Sequence, residues 1–466
     1  MLGDTDIDVI ANHLAEAHLL CFSSMTSCAP HVEKIVRAVK QRNPQVFILW
    51  GGVHCMIHPE TAIQHVDAIC TGEGEIPFTM FYEAFRSSAD YLSTPSMWFN
   101  TSRGIIKNRN CALNSDLESF PHMFADLECQ IYDSQHKKFR SFNHHDYLRF
   151  NGASYRTVWS IGCPYSCIYC ANNVFIARDS NYRKLRFPPV DYLLEEIANA
   201  IRIHPYISAV VFYDDNFILI PTEVLREFST QYRRRINLPF VVAGLHPNIV
   251  TKEKLTLLGE AGMNRGRMGI QSGSERILSF YRRPTPLANI KRSAGILAAA
   301  AKKYDMIPPS YDIISDNPLE TREDVLQTMQ TLYELARPYT LTIFSLRVFP
   351  NTRLWEYFEA HPEIDIRDQT SPYLETRKTM TNILLYTLAI FKPPKWLFSL
   401  LCRRVRGYHE KQRAHPFLFF IVKSIYLVSR GIEHLRRLDS TTIVGPWAYY
   451  FWKWGLIKSN RCASNN

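Results

Sequence analysis

Between residues 155 and about 359 the chain alternates short apolar runs with helical patterns some six times, and this alternation constrains the fold more than any other feature. Strand-length runs fall at 155–161, 209–213, 240–243, 267–270, 310–314 and 342–348. Helical spacing occupies 190–202, 222–235, 252–261, 287–303 and 321–336 between them. Six strand–helix units in series predict a partial (β/α)6 barrel over 151–360, open on one side, with its reactive groups at the C-terminal ends of the strands. Polar residues collect at those ends. Three cysteines follow the first run, Asp214-Asp215-Asn216 the second and Gln271-Ser272-Gly273 the fourth.

The cysteines are Cys163, Cys167 and Cys170, spaced C-x3-C-x2-C. Thiolates are soft ligands, and three together suit an iron–sulfur cluster or zinc better than a hard cation. A [4Fe–4S] cluster would keep one iron open, whereas structural zinc would need a fourth soft ligand. The other eight of the 11 cysteines are scattered, and the opening Met1-Leu2-Gly3-Asp4-Thr5-Asp6 has no basic n-region. These features predict free thiols in a reducing cytoplasm.

Residues 1–90 show the same alternation, with strands at 18–22, 46–50 and 67–70 and helices at 30–41 and 77–85. Glycines at the strand ends, Gly51-Gly52 and Gly72-Glu73-Gly74-Glu75, read either as turn residues or as the close-approach positions of a doubly wound, Rossmann-like domain. Residues 91–150 lack periodicity and read as a linker with one hairpin. Residues 361–466 read as a helical, aromatic-rich region. From Leu384 onward 14 Lys/Arg stand against 3 Asp/Glu, more than the whole chain's net +10, so the body before it is near neutral. Basicity confined to the tail argues against nucleic-acid binding as the protein's business. No apolar run there reaches the ~18–20 residues of a membrane span. The tail reads as a helical cap with a basic outer face, as a surface that lies on an anionic membrane, or as both.

With Tyr169 before the last cysteine, the triad resembles the signature of the radical S-adenosylmethionine (SAM) superfamily. The likeness runs on in register through Phe212-Tyr213-Asp214-Asp215-Asn216-Phe217, Met268-Gly269-Ile270-Gln271-Ser272-Gly273-Ser274-Glu275-Arg276, and Tyr311-Asp312-Ile313-Ile314 with Asn317-Pro318-Leu319-Glu320-Thr321. Ile161 departs from an arginine frequent in relatives. Ser24-Met25-Thr26, Gly51-Gly52-Val53-His54 and Gly72 to Glu75 are similar to the cobalamin (B12)-binding domain that precedes many such barrels, in methyltransferases and in anaerobic magnesium-protoporphyrin ester cyclases. By that likeness the chain opens at the domain's second strand, without an Asp-x-His-x-x-Gly loop.

The resemblance implies a [4Fe–4S] cluster on Cys163, Cys167 and Cys170, with SAM on the fourth iron. Reduction by an external low-potential donor would release methionine and a 5′-deoxyadenosyl radical. It implies SAM contacts from Tyr169, Asp214, Asp215, Gln271, Ser272 and Gly273, and cobalamin contacts from Ser24, Thr26, Gly51 and Gly52. Asp214 and Asp215 could instead cap the next helix, and Gln271 and Ser272 could stabilise a turn. Glu275 and Arg276 read as a solvated face or internal pair, and His54 as structural. The expected activity is cobalamin-dependent methylation of an unactivated carbon in a small, hydrophobic molecule. The rivals are radical cyclisation or rearrangement, and a non-catalytic, membrane-associated metal-binding scaffold. No second cysteine triad upstream supports a methylthiotransferase.

Overall fold

The computed structural model describes residues 3–123, 128–370, 375–410, 413–437, 439, 445 and 447–455. Its contacts divide the chain into two units, the first holding most of the chain up to Phe142 with 177–181, and the second most of the remainder.

In the first unit β1 (Leu19–Ser23), β2 (Phe47–Gly51) and β3 (Ala68–Cys70) lie parallel in that order. The helix Ala29–Arg42 follows β1 and buries Val32, Ile35, Val36 and Val39, the 3–4 residue spacing of one helix face. Asp67 ties the sheet's entry together, accepting from Ile48 N at 2.7 Å and from Lys40 Nζ at 3.0 Å. The region after residue 90 is more ordered than the expected linker. β4 (Met97–Thr101) pairs antiparallel with β3 and turns back into β5 (Gly104–Lys107). Only Met97 and Phe99 of β4 are fully buried, so its alternation is too short to stand out among Ser, Thr and Pro. A second hairpin joins β6 (Gln130–Asp133) to β7 (Lys138–Ser141), and its Tyr132 hydroxyl donates to Asp6 at 2.9 Å.

The second unit is built on six parallel strands in chain order: β8 (Ser154–Thr157), β9 (Ala209–Phe212), β10 (Phe240–Leu245), β11 (Met263–Gln271), β12 (Ser310–Ser315) and β13 (Thr340–Ser345). The outer two, β8 and β13, each pair on one side only, which leaves the curved sheet open. Helices Val190–Ile203, Thr222–Arg235, Lys252–Ala261, Leu287–Lys303 and Arg322–Glu334 make the crossovers. β8 stops four residues short of the expected end. There the backbone N–H groups of Trp159 and Ser160 leave the ladder direction and bond the Asp214 carboxylate.

Helices Met380–Ile390, Lys395–Cys402, Pro416–Arg436 and Ala448–Lys453 follow. The first buries Ile383, Leu384, Leu385 and Leu388, and Tyr426 of the third accepts from Leu341 N of β13 at 3.0 Å. Capping the barrel edge is therefore part of what this region does. No helix among the described residues is long and apolar enough to cross a membrane.

Candidate active site

The C-terminal strand ends of the second unit enclose a cleft of about 470 Å³. Cys163, Cys167, Cys170, Tyr169, Asp214, Asp215 and Gln271 all line it, so the strand-end motifs converge.

The cysteine loop is pinned along its length. Gly162 takes φ +109°, and a Cβ there would lie 2.3 Å from the Lys184 carbonyl, so only glycine fits. Cys163 N donates to Tyr182 O at 3.0 Å, and Ile168 N to Tyr281 O at 3.1 Å. Asn173 Nδ2 donates to the carbonyls of Cys167 and Ile168 at 3.2 and 3.1 Å. Ile161, the departure from the family pattern, exchanges two backbone hydrogen bonds with Arg186 at 2.9 Å each, which needs no particular side chain. All three cysteines are free thiols. Burial raises the Cys163 thiol and pushes that of Cys170 up to about 12, so without a metal they keep their protons. Among the described residues no three ligating side chains converge as they would on a single ion. The three thiols line one cleft, and three soft ligands suit an iron–sulfur cluster that keeps one iron open.

Asp214 and Asp215 take different parts. Asp214 is buried and accepts from Ser160 N (2.6 Å), Ser160 Oγ (2.5 Å) and Trp159 N (3.2 Å), holding the β9 end to the cysteine loop. Burial, opposed by those bonds, pushes its carboxyl up to about 6. Asp215 opens to the cleft. Gly244 keeps the next strand clear, since at φ +76° its Cβ would lie 2.3 Å from the Asp214 carbonyl.

The β11 motif divides similarly. Gln271, at φ +73°, enters the cleft. Ser272 and Gly273, expected to contact SAM, face the helix Arg322–Glu334 instead. Ser272 Oγ is 3.2 Å from Thr328 Oγ1, and Gly273 N donates to that hydroxyl at 2.9 Å. A Cβ on Gly273 would come within 2.6 Å of Thr328 Cα, so close helix packing accounts for this glycine. Arg276 pairs with Asp324, the internal pair that was one of its two readings.

Arg283, His246 and Arg267 line the cleft from outside the quoted motifs. Arg283 is buried, with Nη1 3.7 Å from Cys167 Sγ and Nη2 donating to Gly269 O at 2.7 Å, while its Nε is buried without a partner. His246 stacks on Tyr165 at 4.0 Å and 7°. Its Nδ1 accepts from Asn248 N and its Nε2 is unpartnered. Burial, then the Arg283 charge, drive its pKa down to about 2, so the ring is neutral. Arg267 Nε donates to both Asp312 oxygens at 2.8 and 3.0 Å. A charge inside the apolar β12 run was the visible signal for Asp312; Arg283, beside Arg282 in a loop, reads in sequence as surface.

In the first unit the four residues expected at cobalamin gather at the carboxyl ends of β1 and β2. Gly52 has φ +85°, and a Cβ there would meet Ser24 N at 2.8 Å. Ser24 Oγ accepts from the Trp50 indole at 2.9 Å, and Thr26 opens the turn before the helix Ala29–Arg42. His54 is buried with both ring nitrogens unpartnered, stacked between Trp50 and His58. Small residues and backbone at two adjacent strand ends fit a cradle for a large cofactor.

Comparison with known proteins agrees. Residues 157–343 match the radical SAM superfamily, and residues 4–81 the B12-binding domain. An uncharacterised methyltransferase of Pyrococcus horikoshii is 24% identical over 342 residues, 72% of this chain and 68% of the relative. The anaerobic magnesium-protoporphyrin IX monomethyl ester cyclase of Synechocystis is 24% identical over 183 residues, 38% of this chain and 34% of the cyclase. Among solved structures, the radical SAM methyltransferase TsrM of Kitasatospora setae superposes with TM-score 0.62 at 14% identity, covering 94% of this chain and 96% of TsrM, a likeness of fold. Sequence motifs, strand order and family matches agree that the chain holds a B12-binding domain followed by a radical SAM domain.

Proposed function

We propose that the chain is a cobalamin-dependent radical SAM methyltransferase acting on an unactivated carbon of a small molecule. The observation that carries this reading is the convergence of Cys163, Cys167 and Cys170 with Gln271 and Arg283 in one cleft at the strand ends. The three thiols would hold a [4Fe–4S] cluster, which with an external low-potential electron donor supplies the reductive cleavage of SAM to methionine and a 5′-deoxyadenosyl radical. Ser24, Thr26, Gly51 and Gly52 would hold cobalamin, which supplies methyl transfer. Arg283 offers a buried cation for the SAM carboxylate, Gln271 and Asp215 polar contacts, and Tyr169 a ring and backbone beside the cluster. Asp214 positions the cysteine loop. A neutral His246 and a paired Asp312 add no further uncompensated charge to that of Arg283.

Anaerobic reconstitution tests the reading. About four irons per chain, absorption near ~400 nm, and 5′-deoxyadenosine on reduction with SAM are the expected results. A Cys163/Cys167/Cys170→Ala triple variant that still made 5′-deoxyadenosine would refute the cluster assignment. Failure to retain cobalamin would refute methyl transfer by this route and favour cyclisation or rearrangement.

The same proposal places the enzyme on an anionic membrane surface. The helix Pro416–Arg436 exposes Phe417, Ile421, Ile425, Val428, Ile432 and Leu435 along one face with Arg436 at its edge, while Lys423 and Arg430 lie on the other side over the buried Phe419 and Tyr426 rings. An exposed apolar stripe in a region of net positive charge is the composition of an interfacial helix. Flotation with phosphatidylserine vesicles should carry the chain upward, and Ile425→Glu with Val428→Glu should abolish it. Equal flotation of wild type and variant removes this part of the proposal.

A further inference from the structure

A second cleft of about 500 Å³ lies next to the first and shares Tyr169, Gln271 and Asp312 with it as a wall. Its far side comes from β13 and the turn after it. Ile343, Phe344, Leu346 and Phe349 make that side apolar, and Phe344 and Phe349 remain 43% and 37% exposed despite their size. Aromatic faces left open inside a concavity of this volume are characteristic of small-molecule sites.

One charge in the cleft is unbalanced. Arg347 lines it, half-buried, and has no hydrogen-bond or ion-pair partner among the described residues. Asp312, the acid on the shared wall, is already taken by Arg267 Nε, which donates to both of its oxygens. Arg267 in turn lies over the Phe344 ring at 5.4 Å. The local sum is one net positive charge presented over aromatic surface. A half-buried guanidinium without a counter-ion is unfavourable, and a planar fork of donors matches a carboxylate or phosphate.

We infer that this second cleft binds the substrate, and that the substrate is an apolar or aromatic molecule bearing one acidic group, carboxylate or phosphate, which Arg347 receives. The inference rests on the radical SAM reading, because the shared Tyr169–Gln271 wall would set the bound body beside the site of SAM cleavage. It adds what that reading lacks, the chemical class of the molecule acted on.

Equilibrium dialysis of the reconstituted full-length chain against 1-naphthaleneacetate, 1-naphthaleneacetamide and 1-naphthyl phosphate tests it. The two acids should bind at least about tenfold tighter than the neutral amide, and the tighter acid identifies the head group. Arg347→Gln should bring acids and amide within about twofold of each other, and Arg347→Lys should keep part of the preference. Phe349→Ala should weaken all three probes and preserve the preference. Equal binding of acid and amide to wild type, a preference that survives Arg347→Gln, or no binding of any probe overturns the inference. The same preparations are assayed for iron and for 5′-deoxyadenosine after dithionite reduction with SAM. A chain that cleaves SAM but shows no preference defeats this inference alone. A chain that holds no cluster and cleaves no SAM defeats the functional reading, whatever the probes do.

Discussion

Asp214 links the β9 end to the loop that carries the cysteines, and replacing it with asparagine should change how that loop responds to pH. In the folded chain the carboxyl is pushed from 3.8 to about 6, chiefly by burial and against the bonds from Ser160 and Trp159. That displacement is worth about 3 kcal/mol at 1.36 kcal/mol per pH unit. Its sign follows from proton linkage. Between pH ~4 and ~6 the folded carboxyl holds a proton that the unfolded one has lost, so stability falls as pH rises through this window and is level above it. Asparagine cannot titrate. It retains one oxygen for the donors of Trp159 and Ser160 but turns an NH2 toward the rest, a cost that does not vary with pH. Hydrogen exchange of the peptide 155–171, read by mass spectrometry at matched pH, isolates the local effect because intrinsic rates cancel between variant and wild type. Protection in Asp214→Asn relative to wild type should rise about a hundredfold between pH 4 and pH 7. A ratio constant with pH, or one that falls, would refute the reasoning.

Three further outcomes follow from the geometry. Arg283→Gln removes the guanidinium 3.7 Å from Cys167 Sγ and should lower SAM retention at least about tenfold with iron content unchanged; parallel loss of iron would reduce Arg283 to a structural part. Gln271→Ala should weaken SAM retention with little effect on Tm, whereas Ser272→Ala, which strands the buried Ser274 N–H, should cost about 1–3 kcal/mol of stability and leave SAM retention intact; the opposite pattern would reverse their roles. Glu320 is pushed from 4.5 to about 8 by burial and then by Asp316 and Asp324, so stability falls as pH rises from about 4.5 to 8; Glu320→Gln should flatten Tm over that window, and an unchanged slope would remove the assignment.

The barrel was legible because its helices and strands differ in period and are separated by short turns. Helix Lys252–Ala261 and helix Leu287–Lys303 fall on the residues their apolar spacing marks. After residue 90 one hairpin was expected and two form, whose places the pattern did not mark. β6 and β7 are four residues each and are anchored across more than a hundred residues of chain, by Tyr132 and Lys137 on Asp6 and by Phe139 on His13. Such a strand is defined by its partner rather than by its own pattern. In the cleft, the thiols and Gln271 were marked by spacing and position at strand ends. Arg283 and His246 were not, because each comes from a loop whose place depends on how the barrel closes.

The strand-end motifs also carry two kinds of information that sequence does not separate. Neighbouring residues at a strand end point to opposite sides, as they do within the strand. Asp215 opens to the cleft while the oxygens of Asp214 serve the cysteine loop. Gln271 opens to it while Ser272 packs on the helix Arg322–Glu334. Each motif thus opens one group to the cleft and packs one that fixes where that group stands. A cluster gripped by only three thiols leaves its remaining position to the surroundings, so errors in loop placement are not corrected by a fourth protein ligand. The buried bonds of Asp214 to Trp159 and Ser160 fix that loop, and those of Ser272 to Thr328 and Ser274 fix the turn that follows Gln271.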